Sequence, residues 1–257
     1  MALAALLLAG CSGSGVFGAD APGTSVATRA SLHLRAALSA GALTALGDSV
    51  PAGTACGCQP FPELTATDLG KAVGHTVRDW NDAVPGYQSG NVVDQLDGDG
   101  AVIGDLRRSG VVLVEVGAND VSFNDDCGTE LSCYTPKLPQ IAANLRRIDL
   151  RIHQLAEGHA VEVVFLDYWN VWLGGQYAVA HGPAYVATAD ALTADVDDLV
   201  RAEAQSSGSR YVDLRTAFRG PDRAWDETHL LAPDGDHPNA AGHRRIADAT
   251  DAALMRA

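Results

Sequence analysis

Lysine is almost missing from this chain. Lys71 and Lys137 stand alone among 18 basic residues, against 32 acidic ones, for a net charge of −14. That argues against nucleic acid as a partner, because gripping phosphates needs clustered cations. It also argues against docking on anionic lipid through a basic patch. Long apolar runs are lacking too: the run that opens the chain is too short to span about 30 Å of hydrocarbon. Cysteine is sparse, with 5 in 257 residues. A chain of this length can still bury a full core and predicts one main domain.

The opening segment carries an address. Met1 to Leu8 is apolar, then comes Leu8-Ala9-Gly10-Cys11, then Ser/Gly-rich sequence. This resembles the end of a bacterial lipoprotein signal with an acylated Cys11, and implies export to the outer face of the membrane or secretion. Contact with a membrane is expected only through lipid on Cys11. The division expected is a signal segment over 1–11, a flexible tether over 12–40, whose end from residue 32 either adds a helical turn or extends the tether, and a globular domain over 41–257. Export suits the four other cysteines, Cys56, Cys58, Cys127 and Cys133, whose even number fits two disulfides. Three connectivities are open, with Cys127–Cys133 the best local pair. A Cys-x-Cys zinc half-site over Cys56 and Cys58 finds no matching Cys or His pair in sequence, so no metal is expected. Asp94, Asp97 and Asp99 lack the further ligands and terminal Glu of a calcium loop.

Past residue 41, short apolar runs alternate with longer amphipathic ones. Strands are expected over 42–46, 76–80, 111–116, 161–166 and 210–214. Helices are expected over 62–72, 91–96, 138–157, 187–205 and 240–256. Continuous apolar strands between helices predict a parallel sheet of about five strands covered on both faces, a three-layer α/β/α fold of flavodoxin-like type. Ligands bind at the carboxyl ends of such strands.

Four blocks lie at or near those ends, in order. Gly47-Asp48-Ser49 offers a serine hydroxyl at a tight turn. Ala83-Val84-Pro85-Gly86 offers a backbone N–H, with Gly90 as the alternative donor. Gly117-Ala118-Asn119-Asp120 offers a side-chain amide that can donate to an oxyanion. Asp234-Gly235-Asp236-His237-Pro238 offers a histidine with a carboxylate three residues earlier, able to fold back onto one ring nitrogen. Asp236, one residue away, reaches the ring with difficulty. No Gly-x-Ser-x-Gly elbow occurs at a strand-to-helix turn, which removes the main signature of the α/β-hydrolases.

The four blocks together resemble the SGNH hydrolases, also called GDSL-type esterases and lipases, especially an exported actinobacterial branch. Cys56-Gly57-Cys58-Gln59-Pro60-Phe61-Pro62, Tyr168-Trp169-Asn170-Val171 and the run after Asp236 add to the likeness. Val50 stands where the family name has leucine, and the second block lacks the usual threonine after Gly86. The resemblance implies a serine ester hydrolase working through an acyl-enzyme on Ser49. His237 would be the base, Asp234 its partner, and Ser49, Gly86 and Asn119 the oxyanion donors, without a cofactor. Substrates would be small-molecule, lipid or acetylated-glycan esters, taken by a monomer. Tyr168, Trp169 and Trp172 follow the fourth strand as candidates to line a substrate groove. The rival reading is a surface lipoprotein that binds a ligand on a non-catalytic hydrolase fold.

Overall fold

The computed structural model describes residues 26–255. Cys11, the signal segment and residues 12–25 lie outside the described residues. Strands β1 (Ala42–Gly47), β2 (Arg78–Asn81), β3 (Val111–Glu115), β4 (Glu162–Leu166) and β5 (Arg210–Val212) form one parallel sheet in the order β2-β1-β3-β4-β5. β1, β3 and β4 are buried along their whole length, whereas the edge strand β2 reads Arg-Asp-Trp-Asn and is half exposed. This is the burial expected when both faces of a parallel sheet are covered.

The period of two along each strand splits the core. Leu46, Val112, Val114, Val163 and Phe165 face one helical layer: α3 (Ser89–Gly98), α4 (Gly100–Leu106), α5 (Leu138–Leu155) and α7 (Pro183–Ser207). Leu43, Ala45, Val111, Leu113, Val164 and Leu166 face the other, made by α1 (Val26–Leu38), α2 (Phe61–Val73), α8 (Leu214–Arg219) and α9 (Ala240–Met255). A short α6 (Gly175–Ala180) lies between β4 and α7. No helix among the described residues is long and apolar enough to cross a membrane.

The expected tether over 12–40 is corrected over its last part, which folds as α1. Leu34, Ala37 and Leu38, at helical spacing, are buried against the sheet layer. α1 approaches so closely that a Cβ on Gly110 would lie 1.6 Å from the Ala37 carbonyl oxygen. The expected strand over 76–80 is shifted to 78–81, and that over 210–214 ends at Val212, because Asp213 caps α8 by accepting from the Thr216 N–H at 2.7 Å. α4, α6 and α8 span two turns or less, too little for a periodic signal.

In this strand order the chain leaves β1 and β3, neighbours in the sheet, toward opposite sides. A crevice opens there at the carboxyl ends.

Gly110→Ala should press α1 off the sheet. The expected loss is about 1–3 kcal/mol, the usual cost of forcing extra volume into a packed core. Urea denaturation measures it, and an unchanged midpoint would show that α1 does not bear on Gly110.

Candidate active site

Gly47 ends β1 beside Glu115, the last residue of β3. Its φ is 139°, and a Cβ there would lie 1.9 Å from the Glu115 carbonyl oxygen, so only glycine lets the strands meet at this point. The next amide, of Asp48, donates to that same oxygen at 3.2 Å. Asp48 then turns inward. Its Oδ1 accepts from the Val50 N–H at 3.1 Å and its Oδ2 from the Tyr168 hydroxyl at 2.7 Å. With Asp48 held inside, Ser49 faces the crevice.

The carboxyls beneath are unusual. Burial raises Asp48 to about 6, against the opposing hydrogen bonds from Tyr168 and Val50. Burial, then the charges of Asp48 and Asp167, pushes Glu115 well above the usual carboxyl range, and neither Glu115 side-chain oxygen has a hydrogen-bond partner. Burial also raises Asp167 to about 7 despite its hydrogen bond from Tyr211, and lifts Asp197 well above its ordinary value.

The second and third blocks are tied together. Asp120 accepts from the Ser89 N–H at 2.8 Å and the Ser89 hydroxyl at 2.7 Å, and Asn144 Nδ2 donates to that hydroxyl oxygen at 2.9 Å. Asn119 Nδ2 donates to the Tyr87 carbonyl at 3.0 Å, and Gln88 Nε2 donates to the Asn119 carbonyl at 3.2 Å. One Asn119 side-chain N–H is thus engaged and the other is left for a ligand. Gly86 has φ of 84°, in a turn closed by the Tyr87 N–H donating to the Val84 carbonyl at 3.1 Å. Its position beside Tyr87 brings the second block to Asn119. Gly90, the alternative donor, lies within α3.

The fourth block is held by its own carboxylate. Asp234 Oδ2 lies 2.7 Å from His237 Nδ1, while Asp234 Oδ1 accepts from the Asp236 and His237 amides at 3.2 and 3.1 Å. Burial alone would raise Asp234, but the hydrogen bonds from His237 and Asp236 outweigh it and hold the carboxyl below its usual value. The pair fixes the tautomer: Nδ1 carries the proton and Nε2 is free to accept one. Behind the ring, Asn239 caps α9 through the Ala241 and Gly242 amides and donates to the His229 and Leu231 carbonyls. Leu231 and Pro238 bridge antiparallel.

Ser49, Asn119 and His237 line one cavity of about 300 Å³. One wall is aromatic: Phe123 lies edge-on to Trp172 at 5.1 Å, and Tyr185 packs against both. Of the three aromatics expected along a groove, Trp172 belongs to this wall. Tyr168 and Trp169 touch the cavity but serve other ends. Tyr168 is buried and holds Asp48, while the Trp169 ring stacks on Phe218 in the core of the α2/α9 layer. Phe123, Tyr185 and His181 were not legible as site residues, because nothing in their local sequence marks them. The Tyr168–Asp48 link spans 120 residues and leaves no local signal either.

The cysteines pair Cys56–Cys58 and Cys127–Cys133, with Cα separations of 5.1 and 5.9 Å. The Cys56 and Cys58 sulfurs come within 4.8 Å of a ring nitrogen of the buried His243. The Phe61 N–H donates to His243 Nδ1, so Nε2 carries the ring proton, and the sulfurs are bonded to each other. That donor set does not suit a metal.

A family model for GDSL-like lipases and acylhydrolases matches residues 45–245. The chain belongs to the GDSL-like lipase/acylhydrolase family. This GDSL-like protein is a serine ester hydrolase, and its sheet is that of other members. A lipase from a goat rumen metagenome is 15% identical with a TM-score of 0.62, covering 82% of this chain and 96% of that one. TesA is 19% identical with a TM-score of 0.57, covering 83% and 97%. An acetylxylan esterase from Geobacillus stearothermophilus is 20% identical with a TM-score of 0.58, covering 83% and 93%. No curated protein matches.

Two outcomes follow from this GDSL-like site. Asp234→Asn should lower kcat well beyond Asp236→Asn, approaching about 10⁴ where tautomer control is lost. Steady-state kinetics on both variants decides it, and an equal or larger fall in Asp236→Asn would overturn the assignment. The second concerns pH. Asp48, Asp167, Asp79 and Asp251 have folded values of about 6, 7, 7 and 7 against 3.8 in the open chain. The folded state binds the extra protons between those values, so stability falls as pH rises from about 4 to about 7. The thermal midpoint should be higher at about pH 5.5 than at pH 8; a midpoint that climbs with pH would refute this.

Proposed function

We propose that the protein hydrolyses esters of small acyl groups by two-step acyl transfer on Ser49. The observation that carries this is the convergence of Ser49, Asn119 and His237 on one cavity, with Asp234 bonded to Nδ1 of the histidine. Ser49 Oγ attacks the ester carbonyl while His237 Nε2 takes the hydroxyl proton. Asp234 holds the imidazole and stabilises its charged form. The negative oxygen of the tetrahedral adduct is met by the Ser49 and Gly86 backbone N–H groups and by the free Asn119 side-chain N–H. The carbon–oxygen bond to the alcohol then breaks, and Nε2 returns its proton to the departing oxygen. Water attacks the acyl-enzyme with His237 again as base, releasing the acid and restoring Ser49.

The size of the cavity, about 300 Å³, sits at the low end for ligand pockets and favours a short acyl group over a long lipid tail. Acetylated glycans are the finer substrate reading, supported by the aromatic wall and by the fold shared with an acetylxylan esterase. Export, lipid on Cys11 and a monomeric state complete it. The lipobox-like Leu8–Cys11 sequence and the two disulfides support the first two.

Ser49→Ala should abolish hydrolysis of p-nitrophenyl acetate and labelling by a fluorophosphonate, with the thermal midpoint kept. Asn119→Ala should lower kcat by about 10²–10³ with little change in KM, the usual size for one oxyanion donor. Retention of more than a few per cent of activity in Ser49→Ala would defeat the assignment.

A further inference from the structure

We infer that Asp236 sets the charge selectivity of the leaving-group side of the site: it disfavours esters whose alcohol is anionic and admits neutral, hydroxyl-bearing alcohols. This rests on the acyl-transfer reading of Ser49 and His237.

The two aspartates of the His237 loop address opposite nitrogens of one ring. Asp234 Oδ2 lies 2.7 Å from Nδ1, and Asp236 Oδ2 lies 3.9 Å from Nε2. Their surroundings differ as much as their positions. Asp234 is saturated by three hydrogen bonds from its own loop. The Asp236 carboxylate accepts no hydrogen bond from the described residues, is half exposed, and lines the cavity with Ser49 and His237.

Nε2 is where the alcohol must leave. It returns a proton to the departing oxygen, which therefore has to come within about 3 Å of it. The alcohol fragment is thus forced past Asp236. A negative charge on that fragment meets a like charge a few ångströms away in a partly desolvated cleft. No lysine or arginine lines the cavity to offset it. The net charge of −14 adds repulsion of the same sign at longer range. A neutral polyol or sugar instead finds two carboxylate oxygens ready to accept its hydroxyls. The substrate class this selects is a neutral glycan or polyol ester, and esters of phosphate-bearing alcohols are turned away.

The experiment uses the full chain and two acetates of nearly equal shape, 4-acetoxybenzamide and 4-acetoxybenzoate. They differ in the charge of the leaving phenol. Each kcat/KM at pH 8 and low salt is divided by the spontaneous hydrolysis rate of that ester. The native protein should prefer the amide by about tenfold, equivalent to about 1.4 kcal/mol. Added salt should narrow the preference. Asp236→Asn should bring the ratio to within about twofold, and Asp236→Glu should keep it. A structural role for Asp236 would depress both esters together and leave the ratio alone. An unchanged ratio in Asp236→Asn, or none to begin with, overturns the proposal. Turnover of neither ester, or turnover that survives Ser49→Ala, would instead overturn the catalytic assignment on which it rests.

Discussion

The site depends on one close approach, that of Gly47 to the end of β3. With no side chain at Gly47, β1 can turn directly over the Glu115 carbonyl, where a Cβ would sit at 1.9 Å. That turn sends Asp48 into the protein and Ser49 out of it. Asp48 then closes its own turn by accepting from Val50 and accepts from Tyr168 in the loop after β4. The serine is therefore positioned by a backbone contact between β1 and β3 and a side-chain contact to the loop after β4.

Burying several carboxyls under that turn costs stability, since a carboxylate is best hydrated in water. Burial shifts Glu115 toward its neutral form, and Asp48 and Asp167 lessen the cost with hydrogen bonds from tyrosine hydroxyls. Asp120 shows the same economy in another place. One carboxylate satisfies two donors of Ser89 and so ties the oxyanion blocks into one piece. Asp234 and Asp236 show how two identical side chains two residues apart take different work, because one turns back within its loop and the other faces the cavity.

Much of this was legible in the residues. The buried strands β1, β3 and β4 announced themselves as unbroken apolar runs, and the first and third blocks follow β1 and β3 directly, while the fourth lies beyond α8 in the loop before α9. The Asp234–His237 pairing followed from a spacing that a single turn can close. The short helices were not legible, because two turns of helix carry no period. α1 was open in the sequence only as a helical turn or more tether over 32–41, because its Gly/Ala/Ser/Thr-rich approach masks three apolar positions, Leu34, Ala37 and Leu38, whose partner surface is remote in sequence.

The sequence by itself determined the α/β class, the order of the strands along the chain, the serine ester chemistry and the local partner of His237. The class and the strand order rest on a repeating pattern and the His237 partner on neighbours within a few residues, while the ester chemistry is what the resemblance of the four blocks implies. Only the tertiary structure decided which aromatic belongs to the cavity and which to the core, that Tyr168 holds Asp48, and that Asp236 faces Nε2. Those contacts join segments about 50 to 120 residues apart, or depend on which way a loop turns. No local pattern records them, because they come into being only when the sheet is assembled and its carboxyl edge is shared.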